Sequence, residues 1–146
     1  MVGLYGWNAS KDILKLQCVQ NCLARVVSRF PRFPHSVPLL KSLHWLPVQS
    51  RIIFKLCTIA YQTISFGGLS YLFSMLSLAP KPIELSSSGF HLLSVPRVKT
   101  HTGTRAFSVA VATLWNSLSE HVKSSNTTVS FRHHLKTHFF RLAYPS

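Results

Sequence analysis

A stretch from Leu56 to Pro80 without a single charged residue constrains this chain more than any other feature. A run of that length can cross a bilayer, for which about 20 apolar residues suffice. Otherwise it has to be buried in a protein core. Gln62, Gly67, Gly68 and several Ser and Thr interrupt it. Gly67-Gly68 reads better as a break between two short core helices than as part of a span. A small membrane protein remains the lesser alternative, and resistance to carbonate extraction would be its signature.

The rest of the chain carries helical periodicity cut by proline and glycine. Ser10 can cap a first helix, with Asp12 in its first turn and Arg25 and Arg29 near its end, each favoured there by the dipole. Ile13, Leu16, Gln20, Leu23 and Val27 form its stripe, widened by Val19 and Val26, and it stops before Pro31. A short helix is expected over 38–43, then a turn, then a helix from about Val48 to Ile64 and another from Leu69 to Leu76. Residues 79–90 read as loop, and Phe90 to Val95 as a candidate strand. An amphipathic helix follows over Arg105 to Asn116, then a polar loop from Lys123 to Thr128. Thr128 can cap a last helix with Phe131, Leu135, Phe139 and Leu142 on one stripe.

The expected fold is mainly α, a small helical domain or fragment with at most one short β-hairpin near 90–107. Four segments follow: an N-terminal helix (1–30), a proline-bounded helical segment (31–79), a basic connection (80–104) and a C-terminal helical segment (105–146). The expected core is Leu16, Leu23, Leu43, Trp45, Leu46, Ile52, Leu56, Phe107, Leu114, Trp115, Leu135 and Phe139.

Charge bounds the function. The 146 residues carry 16 Lys and Arg against 3 acids, a formal net charge of +13. A polyanion relieves the self-repulsion of such a chain, and nucleic acid is the usual one. The only carboxylates are Asp12, Glu84 and Glu120. Polymerases and metal-dependent nucleases hold cations with clustered carboxylates, and glycosidases need a pair. Three scattered acids build neither, so no enzyme activity, catalytic residue or cofactor is expected.

Other chemistry is weighed against bland packing. Cys18 and Cys22 stand at i,i+4, half of a metal site that His44 or Cys57 would have to complete. No recognised ligand spacing results, so buried or half-buried thiols are the better reading. His134 and His138 also stand at i,i+4, beside His133, but the glutamate of a zincin helix is missing. A basic, solvated face is preferred there, and no metal is expected. No Gly-x-Ser-x-Gly elbow accompanies the single Asp, which leaves no hydrolase triad. Trp45 and Trp115 could stack on bases but sit in apolar phrases and read as core. The best candidates are basic. Arg97, Lys99, His101 and Arg105 surround a glycine-containing connection that could bring amides and guanidinium groups to phosphates. Arg132, Lys136 and Arg141 offer a second strip on the last helix. A merely solvated surface is the alternative for both groups.

Four phrases in order carry a family resemblance. They are Leu16-Gln17-Cys18-Val19-Gln20-Asn21 with Ala24-Arg25; Leu43-His44-Trp45-Leu46-Pro47-Val48; Gly103-Thr104-Arg105-Ala106-Phe107-Ser108 leading into Leu114-Trp115-Asn116-Ser117-Leu118; and Phe131 with Leu135-Lys136-Thr137-His138-Phe139-Phe140. Together they resemble the C-terminal region of LINE-type non-LTR retrotransposon reverse-transcriptase polyproteins, nearly end to end. The resemblance implies a region after the polymerase palm, with 1–30 as a thumb-like or post-thumb segment, supporting RNA or template handling. The family's catalytic Phe/Tyr-x-Asp-Asp phrase has no counterpart here, nor has its endonuclease domain. Departures include Glu84-Leu85-Ser86-Ser87-Ser88 in place of an arginine-rich turn. Ser119 stands where the family usually has proline, and Val111-Ala112-Thr113 where it often has Ala-Pro. Such drift fits a decayed copy.

The resulting expectation is a non-catalytic C-terminal remnant that contacts RNA or DNA backbone without sequence preference. Its alternative is a relic without function of its own, whose apolar faces once packed on the missing palm and thumb. Phe54, Tyr61, Phe66, Tyr71 and Phe73 fit a surface that needs a partner or associates with itself. With three cysteines and no basic-then-apolar leader, the chain is expected inside the cell, in cytoplasm or nucleus, and not secreted.

Overall fold

A computed structural model describes residues 11–29, 35–67, 70–76, 92–100, 103 and 106–145. The protein is mainly α. Its helices are α1 (Lys11–Ser28), α2 (Ser36–Ser42), α3 (Val48–Phe66), α4 (Ser70–Met75), α5 (Phe107–Ser117), α6 (Glu120–Lys123) and α7 (Thr128–Ala143). No strand forms among the described residues. Phe90, the start of the expected strand, lies outside them; within 92–99 Leu93 makes an isolated bridge, and the other residues have no regular secondary structure. None of the described helices is long and apolar enough to cross a membrane.

The boundaries follow backbone chemistry. At the end of α3, Gly67 takes φ 61 and returns its amide to Thr63 O at 3.1 Å. Only glycine enters that left-handed region without a steric penalty, so the uncharged run breaks there into α3 and α4. α2 ends the same way without a glycine. His44 has φ 53, Trp45 N donates to Leu40 O at 2.9 Å, and His44 N donates to Lys41 O at 3.1 Å. The ring of His44 stacks on Phe140 at 5.5 Å, which helps hold the strained residue. α7 is capped by Thr127 rather than Thr128: Thr127 Oγ1 accepts from Ser130 N at 3.1 Å, and Thr127 O from Phe131 N at 2.9 Å. The polar loop expected from Lys123 begins one residue later, at Ser124, and Glu120–Lys123 before it forms the short helix α6.

Two compact units result. The first gathers Met1–Ile52 and Thr137–Ser146, the second Ile53–Lys136. In the first, α1 packs on α2. Ala24, Leu39, Leu40 and Tyr144 are buried together, flanked by Leu43, Trp45, Phe140 and Ala143. Side-chain amides close the Trp45–Val48 turn. Gln20 Nε2 donates to Leu46 O at 2.8 Å, and Gln17 Oε1 accepts from Val48 N at 2.9 Å. Val48 opens α3, and its amide is one of those that a helix cannot satisfy internally. The hydroxyl of Tyr144 donates to Trp45 O at 2.8 Å. Buried backbone groups require partners, and these three side chains supply them.

That closure turns α1 over. Gln20 and Ala24 are its buried residues, whereas Leu16 and Leu23, expected in the core, are 54% and 52% exposed. The apolar stripe of the helix faces away from the packed side. Ile52, Leu56, Leu43, Trp45 and Phe107 are half-buried, while Leu46, Leu114, Trp115, Leu135 and Phe139 are buried as expected.

The second unit is built on aromatics. Phe131 is fully buried, stacked on Tyr61 at 4.2 Å and 13°, with Trp115 beyond it at 6.2 Å. The hydroxyl of Tyr61 donates to Ser125 O, which fixes the α6–α7 turn. Val109, Val111, Leu114, Leu118 and Val122 complete the core. Cys57 is buried there, and desolvation pushes its thiol up to about 12.

Candidate nucleic-acid interface

The basic candidates in the second unit lie on two supports. The first is the segment 92–99, which is neither helix nor strand, and Arg97 and Lys99 on it are both exposed. A single side chain holds the root of this segment. Asn116 Oδ1 accepts from Leu93 N at 3.0 Å, and its Nδ2 donates to Leu93 O at 2.8 Å. The amide thus pins both backbone groups of Leu93, which is buried. Sequence reasoning placed Asn116 only within a conspicuous phrase, because its partner lies 23 residues away.

The glycine of the connection has a structural use. A Cβ on Gly103 would meet Thr100 Oγ1 at 3.0 Å and Val98 Cβ at 3.1 Å. Its amide donates to Thr100 Oγ1 at 3.0 Å, so it is already committed to the turn rather than offered to a phosphate. Arg105 and His101 lie outside the described residues.

The second support is α7. Phe131 and Leu135 anchor it inward, and Arg132 and Lys136, four residues apart, are exposed one turn from each other. Like charges at that spacing repel by about 0.2–0.5 kcal/mol, which a bound phosphate would reverse. Arg141 does not continue their strip. Nine positions past Arg132 is about two and a half turns, which brings it out on the other side of the helix, and it belongs to the first unit. The expected strip on the last helix is thus a pair.

None of Arg97, Lys99, Arg132 and Lys136 has a carboxylate partner among the described residues. Asp12 pairs with Lys15 at 3.5 Å. Glu120 acts on Lys123, whose pKa falls through burial, with Glu120 opposing the fall. Lys123 Nζ donates to Asn116 O at 3.3 Å and is therefore part of the packing.

The histidines group differently from their sequence spacing. His134 lies against His121, with ring centroids 4.6 Å apart, and its Nδ1 is 3.1 Å from Ser125 Oγ. His138, the expected i,i+4 companion of His134, is half-buried in the first unit beside Phe139. Cys18 and Cys22 are exposed, against the expectation of buried or half-buried thiols, because they ride on the outward side of α1. No three His, Cys, Asp or Glu among the described residues could hold a metal ion.

Burial lowers the pKa of His138 from its ordinary 6.5. The unfolded chain then binds this proton more readily than the folded one. Stability is full above pH about 6.5 and declines as the pH falls through the folded value. The thermal midpoint of the protein should therefore drop between about pH 7 and pH 5 by more than that of His138→Gln. Parallel drops in the two proteins would show that His138 does not contribute.

No protein-family model, curated protein or solved structure matches the chain. The resemblance to reverse-transcriptase polyproteins rests on the four phrases alone.

Proposed function

We propose that this protein is a non-catalytic segment that holds RNA or DNA backbone through basic side chains, as the post-palm end of a LINE-type reverse transcriptase would. The observation that carries the reading is the uncompensated charge of the second unit. Arg97 and Lys99 on an anchored segment, and Arg132 and Lys136 on α7, are exposed with no carboxylate partner among the described residues, in a chain of net charge +13. Phosphate contact of this kind fixes position but reads no sequence. The proposal places the protein inside the cell, and it assigns no catalytic group.

Salt titration tests it. Filter binding of a single-stranded oligonucleotide should weaken linearly in log affinity against log salt, with a slope of about −0.7 per phosphate neutralised. Replacing Arg97 and Lys99 together by Ala should make that slope shallower by about 1.4, similarly for RNA and DNA. No binding at low salt would sink the proposal. An unchanged slope in the double variant would remove the 92–99 segment from the interface.

The apolar surface of α4 favours a second reading. Tyr71, Phe73 and Met75 are exposed in succession around Leu72, and Phe66 is exposed at the end of α3. A surface of this kind fits a piece that once packed against a polymerase palm or thumb and does nothing alone. Unfolding without cooperativity, with open-ended aggregation, would support that reading over the first.

A further inference from the structure

We infer that α1 is a self-association surface, pairing antiparallel with α1 of a second copy of this chain. Surface helices ordinarily turn their apolar side inward. Here the polar side is used internally, through Gln17 and Gln20. Leu16, Val19, Leu23 and Val26 are left 54%, 56%, 52% and 73% exposed. Their 3-4-3 spacing is the seam of a two-helix coiled coil. The seam residues carry no cation, so phosphate is not their occupant.

The ends of the helix select a second copy and its direction. Asp12 and Lys15 are exposed at one end, Arg29 at the other. A parallel pair would stack like ends, Arg29 on Arg29, with the helix dipoles aligned. The antiparallel pair opposes the dipoles and brings Asp12 near Arg29 of the second copy, so that the one acid of α1 meets a cation at both ends of the seam. In the same register Leu16 meets Val26 and Val19 meets Leu23, so every seam residue finds an apolar partner. Cys22 flanks the seam beside the two-fold axis and faces its own counterpart. Cys18 points well away from it, although both thiols are exposed.

The experiment uses the full chain, nuclease-treated, at about 0.5 M salt, where phosphate bridging is screened. So short a seam lies at the weak end of protein interfaces, and half-association is expected on the order of 10–100 µM. Sedimentation equilibrium should show the mass rising from 16.5 kDa towards twice that value. Leu23→Lys should abolish the rise with an unchanged far-ultraviolet spectrum, because Leu23 is exposed in the single chain and the helix tolerates Lys. With diamide as the two-electron oxidant, Cys18→Ser should form a covalent dimer several-fold faster than Cys22→Ser. A 16.5 kDa species at every concentration overturns the inference, including one that floats with anionic vesicles instead. So do equal cross-linking by the two variants and a dimer that survives Leu23→Lys.

Discussion

Replacing Phe131 by alanine should destabilise the protein by about 3–5 kcal/mol, the largest effect expected of any single substitution here. The side chain is fully buried and sits at the centre of the second unit, with Tyr61 stacked on it at 4.2 Å and Trp115 on its far side at 6.2 Å. Removing the ring forfeits its transfer free energy, leaves a cavity between two other rings and ends their favourable stacking. A domain of this size has a stability of only about 5–15 kcal/mol, so the loss takes a large share of it. In thermal unfolding it corresponds to a fall of about 10 °C. Phe131→Leu fills more of the space and should cost less than half as much. Denaturant titration followed by near- and far-ultraviolet dichroism measures both. A midpoint in Phe131→Ala within error of the parent would show that the Tyr61–Phe131–Trp115 stack does not hold the unit together.

Trp115 was legible as core and Phe131 as part of the apolar stripe of its helix, though not as the largest fully buried side chain, and most helix ends were legible. Apolar residues at 131, 135 and 139 repeat every four positions, and proline and glycine act locally, so Pro31, Pro47 and Gly67 mark boundaries wherever the chain goes next. The orientation of α1 was not legible for a physical reason. Periodicity reveals which side of a helix is apolar, but packing also has to satisfy the backbone of whatever the helix meets. Leu46 O and Val48 N demanded polar partners, and Gln17 and Gln20 met that demand. The side bearing Leu16 and Leu23 was thereby turned outward. α6 was missed because four residues, Glu120–Lys123, are too few for a period to register.

The candidate interface was legible in part. The charge excess and the exposure of Arg97, Lys99, Arg132 and Lys136 follow from composition, since Lys and Arg are rarely buried unpaired. The grouping of Arg141 with Arg132 fails on helix geometry, which the spacing already contained. The approach of His121 to His134 depends on the α6–α7 turn and leaves no local trace. The phrases behind the family resemblance also take on a physical meaning. Gln17 and Gln20 of the first phrase bond the backbone of the second, and Asn116 of the third bonds Leu93. These residues hold the fold together; of the exposed candidate cations, Arg97, Lys99 and Arg132 are not among the quoted phrase residues and Lys136 is.

Asn116 therefore links fold to interface, and Asn116→Leu should show both effects at once. The substitution keeps the approximate volume but removes an acceptor and a donor from the backbone of Leu93, a residue only 2% exposed. Unpaired buried polar groups of this kind cost about 1–3 kcal/mol, so a loss of about 2–3 kcal/mol is expected. If the segment is released instead of strained, the global loss is smaller and the effect appears locally. Trypsin then cuts after Arg97 and Lys99 faster than in the parent. The freed cations also pay more entropy on meeting phosphate, so affinity for single-stranded nucleic acid falls at constant salt. Asn116→Asp separates the two bonds: the carboxylate still accepts from Leu93 N but cannot donate to Leu93 O, so the stability loss should be intermediate. Its added negative charge weakens phosphate binding independently, which makes stability and proteolysis the deciding measurements for that variant. Unchanged stability together with unchanged cleavage in Asn116→Leu would mean that the segment bearing Arg97 and Lys99 is held by something other than this amide.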